Sequence, residues 1–180
     1  MKSFILLIIS ILYLQDGPGK NYDFFFAEGD LILFYDKDLN QVDSIRINRY
    51  NDREITDGFF RLIRVKNEIK ILGNWSGEVF QIKGNDLYRI DKTIDHRNNV
   101  AATIFSHNDT IMKFGGYGYW DNNNYLSYFD SENQEWELYD QTGFIPKGHQ
   151  KGFYSKREDE IIFYGGNYID DSDRLNPKAN

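Results

Sequence analysis

The chain has 180 residues, a formal net charge of −7 with acidic and basic residues interspersed, and no cysteine. A nucleic-acid partner is not expected, because phosphate binding calls for a concentrated basic face. Disulfides, thiolate nucleophiles and cysteine-ligated metals are excluded. Aromatic residues make up 17% of the chain, and its apolar runs are short, which favours strands over helices. Composition therefore predicts an all-β protein.

The first segment looks like an export signal. Lys2 precedes an apolar run from Phe4 to Leu14, and a Gly-Pro-Gly breaker begins at Gly17. This pattern is typical of a secretory signal peptide, and the run is shorter than the ~20 residues of a spanning helix. No small-x-small triplet precedes Asp16, so an uncleaved anchor stays open, as does a buried first strand. We expect residues 1–19 to be a signal peptide or anchor. The protein would then be periplasmic, at the cell surface or secreted, touching a membrane only through residues 4–14.

Strand-like runs follow this segment in groups. The first group covers 22–26, 31–35 and 42–47, and it resembles the later strands of a four-strand unit. A second group has four runs and carries Gly73-Asn74-Trp75 after its second strand. Its strands are predicted over 59–65, 68–72, 79–82 and 86–90.

A gap-free repeat lies farther along. Residues 102–116 align with 152–166 at an offset of 50 residues. Each copy reads as a strand, a polar turn, an apolar strand and a double glycine, which predicts a β-hairpin. The double glycines are Gly115-Gly116 and Gly165-Gly166. Two further strands, near 125–129 and 135–139, complete a four-strand unit in the first copy.

These features together resemble the kelch repeat. Ile111 to Gly116, the run from Tyr125 to Asp130, and Trp136 six residues later match its pattern. The resemblance spans about residues 22–170 and is tight only over 100–166. It implies four-stranded antiparallel propeller blades, in which the glycines permit a sharp turn and the tryptophan packs between neighbouring sheets.

The number of units predicts an open ring. The chain holds a partial blade (22–47), two full blades (59–91 and 100–139) and a fourth that stops after its second strand. Because propellers close with ~4–8 blades, we expect an incomplete ring of about 3–4 blades over 20–170, with exposed edges and a polar tail over 171–180. The chain is then either part of a longer protein or completed by another chain.

The kelch resemblance also predicts where a ligand would bind. It implies a binding surface made of the loops after each second strand and the loops between blades. Trp120 could instead fill the gap between blades, and the histidines could be solvated loop residues. The candidate binding residues are Trp75, His96, Arg97, Tyr117, Trp120 and His149.

No metal or catalytic site is predicted. Asp170, Asp171 and Asp173 lack the glycine and distal glutamate of an EF-hand loop, so they are interpreted as a solvated acidic tail. Nucleophile-elbow, P-loop and His-Glu-x-x-His motifs are missing. A copper site of the galactose-oxidase type is excluded, because it requires a tyrosine crosslinked to a cysteine and this chain has no cysteine.

The leading hypothesis is thus a non-catalytic module of an exported or envelope protein that binds a protein or glycan and needs no cofactor. The alternative is the propeller portion of a carbohydrate-active enzyme of the sugar mutarotase or epimerase type. In that enzyme His96 or Arg97 would act as acid or base. A cytoplasmic adaptor is a third hypothesis.

Overall fold

The computed structural model describes residues 22–66, 68–75, 77–93, 99–118, 120–158 and 160–167. Across these residues the regular structure consists of strands and turns, with no helix, so the predicted all-β class is confirmed. It follows that these residues contain no helix of the length and apolarity needed to cross a membrane. The predictions for residues 1–19 and 171–180, and for His96, Arg97 and Asp170, lie outside the described residues.

Fifteen strands form four larger sheets and one small hairpin, and every pairing is antiparallel. The first sheet contains β1 (Phe24–Glu28), β2 (Leu31–Tyr35) and β3 (Gln41–Arg46). The second contains β4 (Phe60–Val65), β5 (Glu68–Gly73), β6 (Val79–Lys83) and β7 (Asp86–Arg89). The third contains β8 (Thr103–His107), β9 (Thr110–Phe114), β12 (Leu126–Asp130) and β13 (Glu135–Leu138). The fourth contains β14 (Phe153–Arg157) and β15 (Glu160–Tyr164). The small hairpin pairs β10 (Tyr117–Gly118) with β11 (Asp121–Asn122).

Local turn chemistry explains the tight connections. Asn108 and Asp109 have φ of 46° and 60°, as a two-residue turn between twisted antiparallel strands requires. The Asp130 carboxylate accepts the backbone N–H groups of Glu132 and Asn133, at 2.8 and 3.3 Å. These bonds lower the pKa of Asp130. Asp36 makes the matching turn between β2 and β3, accepting N–H groups from Asp38 and Asn40.

The core lies between sheets. Three apolar clusters each draw on two successive sheets, so that the four sheets pack face to face in chain order. Alternation along each strand produces this arrangement, because successive side chains point to opposite faces. In β9, Ile111 faces the second sheet, whereas Met112 and Phe114 face the fourth.

The series does not close on itself. The second and third sheets have four strands each, the first has three and the fourth has two among the described residues. Within the described part of the chain the series therefore runs from a three-stranded to a two-stranded sheet, and β1 and β15 each have one strand partner there.

Candidate binding surface

The double glycines bring the backbone of two segments into close contact. Gly115 and Gly116 have φ of 75° and 97°, which side chains of L-residues rarely adopt. A Cβ atom at Gly116 would lie 2.6 Å from the carbonyl carbon of Asn99, and one at Gly115 would lie 2.4 Å from the His149 carbonyl oxygen. Glycine is thus required where the loops after the second strands meet the linkers between sheets.

Backbone hydrogen bonds join these loops into one surface. The Ala101 N–H donates to the Asn74 carbonyl at 3.1 Å, which connects the second and third sheets. The Gly116 N–H donates to the His149 carbonyl at 2.7 Å, which connects the third sheet to the linker before the fourth. Bridges between Val100 and Tyr117 and between Gln150 and Asn167 repeat this pairing 50 residues apart. We call the residues 74–75, 99–101, 115–118, 120–124 and 148–150 the loop surface.

Aromatic side chains are exposed on the loop surface. Trp75 is 54% exposed, and its ring centre lies 6.1 Å from that of Phe59. The Arg53 guanidinium lies 3.6 Å from the centre of the Phe59 ring. Trp120 is 84% exposed and has a φ of 71°. Tyr117 is half-buried and is the first residue of the small hairpin. Flat, rigid rings of this kind provide contact area at a low entropic cost.

His149 is different, because its ring is buried. The Nε2 atom lies 3.3 Å from the Thr103 hydroxyl, and the ring lies 5.3 Å from that of Phe114. A Cβ atom at Gly152 would come within 2.2 Å of Nε2, so a glycine must stand beside the ring. The interpretation of His149 as a solvated loop residue is wrong, because the side chain is buried and packs between the third and fourth sheets. A role of His149 in binding stays a prediction.

Trp136 joins the second and third sheets. Its indole Nε1–H donates to the Gly77 carbonyl at 2.7 Å, and its backbone N–H donates to the Thr93 hydroxyl at 3.0 Å. Its ring lies 5.6 Å from that of Phe129 within the cluster between these sheets. A tryptophan at this position therefore combines apolar packing with a hydrogen bond to the neighbouring sheet.

Sequence reasoning missed Lys113, a buried amine beside Trp136. Lys113 is only 2% exposed, and its Nζ lies 4.0 Å from the centre of the Trp136 ring. Nζ has no hydrogen-bond partner among the described residues. Burial lowers the pKa of Lys113 to about 7, and the charge of Asp91 opposes this effect. Asp91 is itself buried and is held by Arg89 at 2.9 Å and by the Val79 N–H at 2.7 Å.

The aligned repeats show that a lysine at position 113 is unusual. In the 50-residue alignment Lys113 stands opposite Phe163, and the same position of the second sheet is Ile71. Both of those residues belong to apolar clusters. A lysine among equivalent apolar positions is the observation that could have identified the site.

The described residues contain no group of three or more histidine, aspartate or glutamate side chains placed to hold a metal ion. In comparisons with known proteins, no family model matches the chain. A search of curated proteins also finds no match.

Proposed function

We propose that this chain is a kelch-type repeat module of an exported or envelope protein, and that it binds a protein or glycan through the loop surface. The observation that carries the proposal is the pair of exposed tryptophans, Trp75 and Trp120, on the loops after the second strands of successive sheets. The kelch-type assignment is supported by the Gly-Gly and Asp…Trp pattern and by the serial packing of four-stranded sheets.

The chemistry of the loop surface suits recognition. Trp75 and Trp120 present broad apolar faces, and the amide side chain of Asn122 lies on the same surface. The Asn122 amide donates to the Asn167 carbonyl at 3.4 Å, which orients this side chain. Indole rings with nearby hydrogen-bonding groups are the combination by which binding sites hold sugar rings and aromatic or arginine side chains of proteins.

The rigidity of the surface further supports binding. Glycines in close backbone contact and paired linkers place both tryptophan-bearing loops on the ends of packed strands. Preorganised loops lose less conformational entropy when a ligand binds. A ligand would therefore contact a largely preformed surface.

The experiment is a glycan array probed with the full chain, followed by titration of each hit against Trp75→Ala, Trp120→Ala and the double variant. We expect each single variant to weaken binding about tenfold or more, as for a central aromatic anchor. Tyr88→Ala is the matched control, because Tyr88 is an exposed aromatic residue of strand β7 and lies outside the loop surface. Affinity that the double variant retains in full would contradict the proposed site.

If no glycan on the array binds, the next step is to search for a protein partner, captured by crosslinking from the extracytoplasmic fraction. The same pair of variants and the same control apply there. Export is tested separately, by fusing residues 1–19 to a reporter that is active only outside the cytoplasm. A reporter that stays inactive would contradict the exported location.

A further inference from the structure

A small cleft lies between the second and third sheets, at the strand ends opposite the loop surface. Strand β9 runs from Thr110, which lines the cleft, to Phe114, which precedes the loop surface. The cleft has a volume of about 270 Å³. Both sheets beside it have four strands, and every residue that lines it belongs to the described part of the chain. The cleft is thus formed within one repeat interface, and we call it the inter-sheet cleft.

The floor of the inter-sheet cleft is apolar. Val65 and Ile90 contribute to it from the second sheet, and Ile111 and Phe129 contribute from the third. All four residues belong to the apolar cluster between these two sheets, in which Ile111 and Phe129 are buried. The floor is therefore the edge of the core, and a ligand with an apolar face could lie against it.

The wall that the second sheet contributes is polar. Lys70 of β5 pairs with Gln81 of β6, and the adjacent pair consists of Leu72 and Val79. Leu72 and Val79 belong to the cluster that faces the third sheet. Because side chains alternate along a strand, Lys70 and Gln81 face the third sheet as well. Two polar side chains thus stand where the strand pattern directs residues toward the core.

The third sheet has apolar residues at the same two positions. Lys70 and Met112 occupy the same place in their second strands, three residues before a glycine. The cross-strand partner of Met112 is Tyr128, as Gln81 is the partner of Lys70. Met112 and Tyr128 both pack in an apolar cluster. Packing between sheets therefore does not require a lysine and a glutamine at positions 70 and 81.

Hydrogen-bonding groups on both sides of the inter-sheet cleft can reach a ligand. The side chains of Gln81 and Gln134 line it from opposite sheets, and neither makes a hydrogen bond among the described residues. Each amide provides an acceptor oxygen and two donor hydrogens. Ser131 adds a hydroxyl group from the turn between β12 and β13. These groups combine donors and acceptors around the apolar floor.

The charges of the cleft favour a neutral ligand. The Lys70 amine is bound by the Glu68 carboxylate at 2.5 Å, and the Lys70 side chain is 15% exposed. Asp109 lines the other side and makes no ion pair among the described residues. The unpaired carboxylate disfavours an anionic ligand, and the lysine on the wall disfavours a cationic one. Asp109 can instead accept hydrogen bonds from hydroxyl groups.

We propose that the inter-sheet cleft binds a neutral, polyhydroxylated ligand of the size of one sugar ring. The apolar face of the ring would lie on the floor, and its hydroxyl groups would bond to the Gln81 and Gln134 amides and to the Asp109 carboxylate. A hydroxyl group both donates and accepts, which matches these partners. The volume of about 270 Å³ lies below the ~300–1,000 Å³ of sites for drug-sized ligands, so one ring fits better than a chain of rings. The site is separate from the loop surface and does not rest on the function proposed there.

The first test is a titration of the full chain with D-glucose, D-galactose and D-mannose, followed by backbone amide chemical shifts. A Kd of about 1 mM is expected for a ligand this small. The largest shifts should lie at residues 81, 109–111 and 131–134. The double variant Trp75→Ala and Trp120→Ala should bind the sugar unchanged, which separates this site from the loop surface. No shift at these residues with any of the three sugars, or loss of binding in the double variant, would overturn the proposal.

The second test removes the polar groups while the fold is kept. Gln81→Leu makes the wall apolar, so it should leave the chain at least as stable in urea unfolding and yet weaken sugar binding about tenfold. Asp109→Asn removes the charge and keeps a residue type that tolerates the φ of 60° in this turn, so binding should weaken about threefold or more. Gln41→Leu and Asp43→Asn are the matched controls, because both residues are exposed in β3 and lie outside the cleft. Unchanged affinity in Gln81→Leu would contradict the site.

The third test examines the class of ligand with charged sugars of the same ring size. D-Glucuronic acid carries a carboxylate and D-glucosamine carries an ammonium group. Each should bind about fivefold or more weakly than the neutral sugars, because the cleft contains an unpaired carboxylate and a lysine. Tighter binding of either charged sugar, or a gain in sugar affinity in Asp109→Asn, would overturn the assignment of a neutral ligand.

Discussion

The interface between the second and third sheets differs from the one between the third and fourth, although the same repeat forms both. The first interface is closed by Phe129 and Trp136 from the outer strands, and it encloses the amine of Lys113. The second has Phe163 at the matching position, and a mainly apolar groove lies between the third sheet and β15 in the part of the chain that the structure describes. One interface thus encloses an amine beneath its outer strands, whereas the other is mainly apolar apart from His149 and Thr103 and is open on one side among the described residues.

This difference indicates that apolar character and completeness are separable properties of a repeat interface. At the first interface the hydrogen bond from Trp136 to Gly77, together with the ring over the Lys113 amine, offsets part of the cost of burial. At the second, stacked rings such as Phe114 and Phe163, 4.8 Å apart, provide the attraction. Substitutions at matched positions can measure each property.

The largest effect is expected from Gly115→Ala compared with Gly165→Ala. A Cβ atom at 115 would meet the His149 backbone at 2.4 Å, whereas at 165 it would meet only the Phe153 ring at 3.3 Å. Both glycines have positive φ, so both changes cost the left-handed strain of about 1–2 kcal/mol. Gly115→Ala should in addition displace the neighbouring backbone. The free energy of unfolding measured in urea should then fall by more than ~3 kcal/mol in total. Equal losses at the two positions would contradict the account of close contact.

Lys113→Met is expected to stabilise the protein. The pKa of Lys113 is about 7 in the folded chain and 10.5 in the reference state. Between pH 7 and pH 10.5 the unfolded state therefore binds more protons than the folded state. The free energy of unfolding of the wild type should therefore rise with pH above 7, by up to ~1.4 kcal/mol per unit. Lys113→Met should be about 2 kcal/mol or more stable at pH 7 and should lack this slope.

The control for that measurement is Lys37→Met, which removes an exposed lysine. It should leave both the stability at pH 7 and its slope unchanged. Unfolding titrations in urea at pH 7, 8 and 9 provide the comparison. The same slope in wild type and Lys113→Met would refute the assignment.

Trp136→Phe is expected to have an intermediate effect. The change keeps an aromatic ring but removes the donor to the Gly77 carbonyl at 2.7 Å and weakens the contact with the Lys113 amine. The expected loss is about 1–2 kcal/mol. Trp75→Phe, at an exposed ring, serves as the reference in the same unfolding experiment. A loss no greater than that of Trp75→Phe would mean that the indole bond contributes nothing measurable.

The smallest effect is expected from Trp120→Ala. The Trp120 side chain is 84% exposed and belongs to none of the apolar clusters. Its truncation should change the free energy of unfolding by less than ~0.5 kcal/mol. A larger loss would show that Trp120 packs between sheets, the other role that the sequence allowed.

Much of the strand pattern could be predicted, because alternation and turn chemistry are local. The predicted strand over 110–114 coincides with β9, and the predictions over 79–82 and 135–139 differ from β6 and β13 by one residue. The β10–β11 hairpin was not predicted, since two-residue strands have no detectable period.

The site was harder to predict, because burial of a loop residue is not local. His149 stands in a Gly- and Lys-rich linker that is typical of an exposed loop, yet Thr103 and Phe114 enclose it. Lys113 is buried because the second sheet packs against its side of β9. The sequence of β9 alone does not indicate that packing. Only the comparison with Ile71 and Phe163 made that lysine stand out.

Residue-resolved hydrogen exchange tests the central claim most directly, namely a series of sheets that pack face to face through three apolar clusters. We predict the slowest exchange in β4, β5, β8 and β9 of the second and third sheets, and faster exchange in β1 and β15 of the first and fourth sheets. Exchange that is slowest in β1 or β15, or uniform along the strands, would contradict the account.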